Sequence, residues 1–179
     1  MSEEFLSKTL VFNLESQFWL IREFISPMLM KNQGHIVCMN SCGGISGYPM
    51  LTDFAASKFG SVGLMESLRL EMLRGNHDIK CTTVCPYFTN TGQVDTSNCA
   101  GLFRMLDKDY VVWRTIAAIR QEEGEVCMPW SLGCVLYFTK LFLPSSLQDR
   151  VKKHVLGLNS MDHFQVVQAK AKAKAKKRK

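Results

Sequence analysis

The stretch SCGGISGYPMLTDFAASK, residues 41–58, decides how the rest of the chain is read. Just ahead of it, residues 35–40 are short, apolar and partly β-branched, with a glycine before them and glycines after, which predicts a buried parallel strand. Just behind it, Phe59, Val62, Met65, Leu68 and Met72 recur at the three-and-four spacing of a helix with one buried stripe. Asp53 is expected to cap that helix and Gly75-Asn76 to stop it after Arg74. Ser41 therefore stands at the end of a strand, and thirteen positions on Phe54-Ala-Ala-Ser-Lys58 opens the helix that follows. Phe54 and Lys58, one helical turn apart, share a face. The intervening Gly43-Gly44 reads as loop rather than as an element.

Working outward, Leu10, Leu14, Phe18, Ile21, Ile25 and Met28 predict a first helix over residues 5–30, ended by Asn32-Gln33-Gly34. Downstream, residues 79–84 read as a second strand that leads into Cys85-Pro86-Tyr87-Phe88 and a polar loop with Thr89, Asn90, Thr91 and Gly92. Residues 109–123 read as a helix and residues 125–128 as a third strand. Helix and strand alternate throughout, which predicts an α/β architecture with a parallel sheet and right-handed crossovers.

Residues 130–143 are the most apolar part of the chain, yet they amount to about two-thirds of the roughly 20 residues a membrane span needs, and they include Lys140. They read as a core or lid helix, or as a helix lying on a membrane surface, and not as a span. Residues 147–158 give one more amphipathic segment before a Lys-Ala tail whose plain reading is a solvated end.

A 46% hydrophobic and 21% charged composition is that of a globular protein. The net charge of +6 is a property of the tail: Lys170, Lys172, Lys174, Lys176, Lys177, Arg178 and Lys179 carry seven positives, which leaves 15 basic against 16 acidic residues before them. The body thus carries no compositional mark of nucleic-acid binding. Seven cysteines, an odd number, with no secretory signal read as thiols kept reduced in the cytosol. Cys38/Cys42 and Cys81/Cys85 have a C-x-x-x-C spacing, but residues four apart on a strand are about 13 Å apart. That is too far to share one zinc, so the plain reading is buried small hydrophobes.

Ser41, Phe54-x-x-x-Lys58, Asn13 on the preceding helix and Val84-Cys85-Pro86-Tyr87-Phe88-Thr89-Asn90-Thr91-Gly92 together resemble, in order, the active-site segments of the short-chain dehydrogenases/reductases. Gly34-His35-Ile36-Val37-Cys38, Ala56-Ser57-Lys58-Phe59 and Leu141-Phe142-Leu143-Pro144 narrow the resemblance to the retinol and steroid dehydrogenase-like members, the epidermal retinol dehydrogenase-like family 16C. It covers residues 1–162, which is read as a partial domain of that family, followed by the basic tail over 163–179.

In that family a hydride moves between NAD or NADP and an alcohol or carbonyl carbon while a tyrosine exchanges the proton on oxygen. The resemblance gives Ser41 the task of hydrogen-bonding the reacting oxygen. Lys58 would lower the tyrosine pKa and hold the cofactor ribose, Asn13 would steady a relay water, and Pro86 and Thr91 would belong to the cofactor loop. Phe54 stands at the catalytic tyrosine position and has neither a proton to give nor a lone pair to take one. General acid/base help is typically worth about 10² to 10⁴ in rate.

The family also begins with a strand, a Gly-rich turn and a helix that hold the dinucleotide phosphates. This sequence shows no such unit. The resemblance therefore implies a Rossmann-like doubly wound sheet reduced to its C-terminal part, lacking the N-terminal dinucleotide-binding half, with cofactor binding in doubt and activity lost. Implied substrates are apolar alcohols or ketones, retinoid or steroid. Further expected partners are a membrane surface and homo- or hetero-oligomers that cover the uncovered sheet edge; no nucleic acid is expected. A non-catalytic membrane-associated interaction protein, or a remnant product without function, is the alternative. Lys176-Lys177-Arg178-Lys179 resembles a di-lysine retrieval signal, which places the chain at the cytosolic face of the endoplasmic reticulum membrane or at lipid droplets, and otherwise in the cytoplasm.

Overall fold

The structure, a computed structural model, describes residues 2–91 and 102–156. Helix α1 (Glu3–Leu10) starts at Ser2, whose hydroxyl accepts the Phe5 N–H. It continues through a π turn at Val11–Glu15 into α2 (Ser16–Lys31). The predicted first helix is thus one run with a widened turn in it, a feature that apolar spacing does not encode. Asn32 ends it in the left-handed conformation at φ 46°. Its side chain then accepts the Asp78 N–H, which ties this turn to the one before the second strand.

Strands β1 (Gly34–Met39), β2 (Ile79–Pro86) and β3 (Glu125–Met128) form a parallel sheet in that order. Gly34 pairs with Ile79, Met39 with Val84, Thr83 with Glu125 and Pro86 with Met128. The central β2 runs two residues further than its apolar pattern predicted, because β3 pairs with its last four residues. Between the strands run α3 (Thr52–Arg74) and α4 (Lys108–Arg120), and α5 (Trp130–Phe142) and α6 (Ser145–Val155) follow.

Alternation along the strands assigns two faces. Cys38, Ile79 and Cys81 pack with Met65, Leu68 and Met72 of α3 and with Ile21, Ile25 and Met28 of α2. Val84, Val126 and Met128, on the other face, pack with Val111 and Ala118 of α4. A third cluster joins Cys42, Ile45, Tyr48 and Leu51 to Cys85, Tyr87, Leu132 and Leu136, and seats α5 at the C-terminal end of the sheet. Because α3 and α4 lie on opposite faces while the strands advance in one direction, the two crossovers have opposite hands. The expectation of uniformly right-handed crossovers is corrected on this point.

The start of α3 brings a second correction. Leu51, not Asp53, is its N-cap, and no side chain caps it. Asp53 sits inside the first turn, buried, and accepts a hydrogen bond from Thr9 Oγ1 at 3.0 Å. A residue that looks like a cap is used instead to pin α1 against α3. At the other end the left-handed residue is Asn76 at φ 52°, and Gly75 remains right-handed. By contrast α4 is capped conventionally: Asp107 accepts the N–H groups of Asp109 and Tyr110.

Among the described residues β1 has a neighbour on one side only. Met39 is 51% exposed and Val37 is exposed beside it, while Phe12, Trp19, Leu20 and Phe24 of the preceding helices are also open to solvent. A parallel strand is ordinarily covered on both faces and both edges. The sheet is therefore an α/β unit of three strands with one uncovered side, in agreement with a partial Rossmann-like fold. The segmental boundary at 162/163 and the basic tail fall outside the described residues.

Candidate active site

At the C-terminal end of β1 the backbone turns sharply. Asn40 N–H donates to the Val84 carbonyl at 2.7 Å, which extends the strand pairing by one residue. The Asn40 side chain then does two things: its carbonyl accepts the Ser41 N–H at 2.9 Å, and its amide donates to the Lys58 carbonyl at 3.2 Å. Ser41 is extended at φ −163°, and its Oγ accepts the Gly43 N–H at 3.1 Å as Cys42–Gly44 closes one turn of 3₁₀ helix. What reads in sequence as plain loop is thus a single tight turn. The hydroxyl is fixed in place as an acceptor, and its own hydrogen remains available to a reacting oxygen.

Two glycines in that turn are required by close approach. A Cβ on Gly44 would lie 2.7 Å from the Lys58 carbonyl oxygen, and one on Gly43 would lie 3.0 Å from Phe54 Cε1. The turn carrying Ser41 and the first two turns of α3 therefore press directly on each other, which brings Ser41, Phe54 and Lys58 to one place.

Lys58 Nζ donates to the Met39 carbonyl at 3.3 Å and stands 5.7 Å from the centre of the Phe54 ring. Burial lowers its pKa from the ordinary lysine value, opposed by the smaller effect of the Cys38 and Cys85 thiols. Asn13 sits in the π turn and donates from Nδ2 to Ser57 Oγ at 3.0 Å; Ser57 in turn donates to the Phe54 carbonyl at 2.7 Å. Gln17 Nε2 donates to the Asn13 carbonyl, which holds the widened turn open toward α3.

Asn13, Ser41, Phe54, Lys58, Pro86 and Thr91 all line one open pocket of about 360 Å³. One space thus gathers residues from two helices, a strand end and a loop. Sequence reasoning missed Asn40, which orients both Ser41 and Lys58; its only signal was an amide at a strand end. It also missed Tyr48, Leu51 and Phe88, the apolar side of the pocket. Tyr48 and Phe88 meet edge to face at 5.8 Å between ring centres.

The arrangement supplies a hydroxyl, an amide and a half-buried ammonium around a space walled by aromatic rings. It suits a small polar head, such as an alcohol or carbonyl oxygen, on an apolar body. Lys58 and Thr91 also suit the ribose end of a nicotinamide dinucleotide. The phosphates are another matter: among the described residues no Gly-rich turn joins a strand directly to a helix of this sheet. β1 is followed by the one-turn Cys42–Gly44 segment, and α3 begins only at Thr52, behind Leu51. The pocket fits part of the cofactor and not its pyrophosphate. No group of His, Cys, Asp and Glu among the described residues can hold a metal ion.

The family description that matches this chain is short chain dehydrogenase, over residues 1–100, more than half of its length. Epidermal retinol dehydrogenase 2 of Homo sapiens is 33% identical over 165 residues, covering 90% of this chain and 53% of that protein. The Mus musculus protein of the same name is 36% identical over 145 residues, with 79% of this chain and 47% of that protein covered. Short-chain dehydrogenase/reductase family 16C member 6 of Bos taurus is 35% identical over 156 residues, 86% of this chain and 49% of its own. The chain spans about half the length of the curated relatives it matches.

Proposed function

Because this chain belongs to the short-chain dehydrogenase family, we propose that it carries the substrate-holding half of an oxidoreductase site for an apolar alcohol or ketone of the retinoid or steroid class. The relatives' names point to retinol, and the aromatic wall of Tyr48, Tyr87 and Phe88 suits such a body. The family uses NAD or NADP, which supplies the hydride acceptor; this chain's own residues hold only the ribose end of it. The observation that carries the proposal is the joint placement of Ser41 and Lys58 around a Phe54 ring that cannot exchange a proton.

On this reading the chain taken by itself does not turn over alcohol. Position 54 carries no phenol, and the described residues include no phosphate-binding turn. The test is a titration of the purified chain with NAD and with NADP, followed by heat or by fluorescence. No measurable binding is expected, and micromolar binding would overturn the assignment of a half-site.

A second reading is favoured by a separate feature. Leu132, Gly133, Leu136 and Thr139 bury one side of α5, yet Trp130 and Leu141 are 75% and 76% exposed on the other, with Phe138 and Phe142 beside them. No described helix is long and apolar enough to cross a membrane. An aromatic row on a short helix, followed in sequence by α6 with its basic Lys152 and Lys153, suits a membrane surface. We therefore propose attachment at the cytosolic face of the endoplasmic reticulum or at lipid droplets, in the service of either a catalytic or a purely binding role.

A further inference from the structure

We propose that Cys42 and Cys127 form a dithiol oxidation site, closed to a disulfide by a peroxide-class oxidant, that locks the turn carrying Ser41 to the root of α5. The proposal is independent of the dehydrogenase reading. Cys42 is the first residue of the one-turn segment after Ser41, and Cys127 is the third residue of β3. They are 85 positions apart in sequence, and the turn after β1 folds back over the end of the sheet to bring them together, with Sγ to Sγ 3.6 Å. Cys85 is the register partner of Cys127, and its carbonyl accepts the Cys42 S–H at 3.2 Å.

The two thiols differ in kind. Cys42 is 1% exposed, enclosed by Ile45, Leu132 and Leu136, and burial together with its neighbour holds its proton on. Cys127 is only partly buried. Its sulfur lies against the first turn of the 13-residue α5, at Gly133. Gly133 permits that approach: a Cβ there would stand 2.7 Å from Cys127 Cβ and 2.9 Å from its Sγ. The contact with Cys42 is the largest influence lowering the Cys127 pKa, the backbone at Gly133 and Met128 adds a smaller one, and burial works against them. One sulfur is thus reachable and nucleophilic, and the other waits beside it with its hydrogen.

The chemistry balances without any further group. The Cys127 sulfur attacks hydrogen peroxide: an S–O bond forms, the O–O bond breaks, and one water leaves with the thiol proton, giving a sulfenic acid. The Cys42 sulfur then attacks Cys127 Sγ. The S–S bond forms, the S–O bond breaks, and hydroxide leaves with the Cys42 proton as a second water. Two thiols lose two electrons and one peroxide is reduced to two waters. The sulfurs must close from 3.6 Å to about 2.05 Å. Cys42 then loses the hydrogen it donates to the Cys85 carbonyl, and the turn shared with Ser41 and Gly43 is drawn off the pocket wall.

The experiment treats the reduced full chain with hydrogen peroxide and measures intact mass and a non-reducing tryptic map. Expected are a mass loss of two hydrogens, reversed by dithiothreitol, and a link between the peptides spanning residues 32–58 and 121–140, with fragment ions assigning it to Cys42 and Cys127. Both peptides carry a second cysteine, Cys38 and the exposed Cys134. Cys134→Ser should therefore keep the mass loss, and Cys127→Ser and Cys42→Ala should each abolish it. A gain of oxygen atoms with no link, or a link assigned to Cys134 or Cys38, would overturn the proposal, and the unsubstituted chain alone is enough to decide it.

Discussion

Lys58 holds its ammonium 5.7 Å from the centre of the Phe54 ring, on the same face of α3 and one turn away. The ring offers that charge its π face and nothing to ionise. A phenol at the same place would have its anion stabilised by the ammonium and its pKa lowered; a phenyl ring leaves the lysine as a half-buried cation bonded to the Met39 carbonyl. Lys58 therefore stands beside a ring that can neither give a proton nor take one.

Lys58 itself gives a pH test. Burial lowers its folded pKa below that of the unfolded chain, so the unfolded state holds the proton more tightly. The resulting cost to the fold is present at neutral pH and is relieved as pH rises from the lowered value toward that of an ordinary lysine. Lys58→Met removes the group, and with it the relief. In paired urea titrations from pH 7 upward, the wild-type chain should gain stability relative to the variant. A difference that stays flat or moves the other way would contradict the burial of this charge.

The uncovered side of the sheet should make the chain self-associate. Met39 and Val37 on β1, with Trp19 and Phe24 on α2, leave an apolar surface beside an unpaired strand. Sedimentation velocity over a concentration series should show association that Val37→Lys and Met39→Lys together reduce. A strictly monomeric wild-type chain would mean that this surface is covered by residues other than those described.

Exposed aromatics on α5 make a third outcome measurable. Flotation with vesicles containing anionic phosphatidylserine should carry the chain upward, and Trp130→Ser with Leu141→Ser should weaken this several-fold, since both side chains stand largely clear of the core. Lys176→Ala with Lys177→Ala should weaken it further in anionic vesicles and little in neutral ones. Equal flotation of all variants would end the membrane reading.

The sequence was most informative where one residue type has one physical use. Strand β3 was legible to the residue, and β1 and β2 to within two, because buried parallel strands are short apolar runs between turns. Ser41, Phe54 and Lys58 were legible as a constellation because their spacing bridges a strand end and a helix start. Asp53 was misread because an acidic residue near a helix start is as able to bind a neighbouring helix as to cap its own, and only Thr9, 44 positions away, decides which. Asn40 escaped notice for the same reason: its Lys58 partner, 18 positions on, is set by tertiary contact. The opposite hands of the two crossovers follow from which face α4 finds apolar, and no local pattern carries that.

Asn13 should act through position rather than by contact with a reacting atom alone. Its amide holds Ser57, and Ser57 holds the Phe54 carbonyl. Asn13→Ala leaves the Ser57 hydroxyl with one partner fewer in a buried place, which costs roughly 1 to 3 kcal/mol. Denaturant unfolding should show that loss, and Asn13→Asp, whose carboxylate has no hydrogen to give the Ser57 oxygen, should not recover it. No loss in Asn13→Ala would mean that the π turn is held by Gln17 and Thr9 alone.

The most direct test joins a cofactor-binding N-terminal half from an active relative ahead of Met1 and compares Phe54 with Phe54→Tyr in that chimera, reading retinol oxidised to retinal. The account predicts that the chimera with Phe54 is nearly inactive. Phe54→Tyr should raise its rate by about 10² to 10⁴, the scale of a regained general acid/base, Lys58→Ala should abolish the gain, and the same substitution in the chain alone should give no activity. A chimera equally active with phenylalanine or tyrosine at position 54 would show that the proton leaves by another group, and Phe54 would no longer be the lost catalytic position.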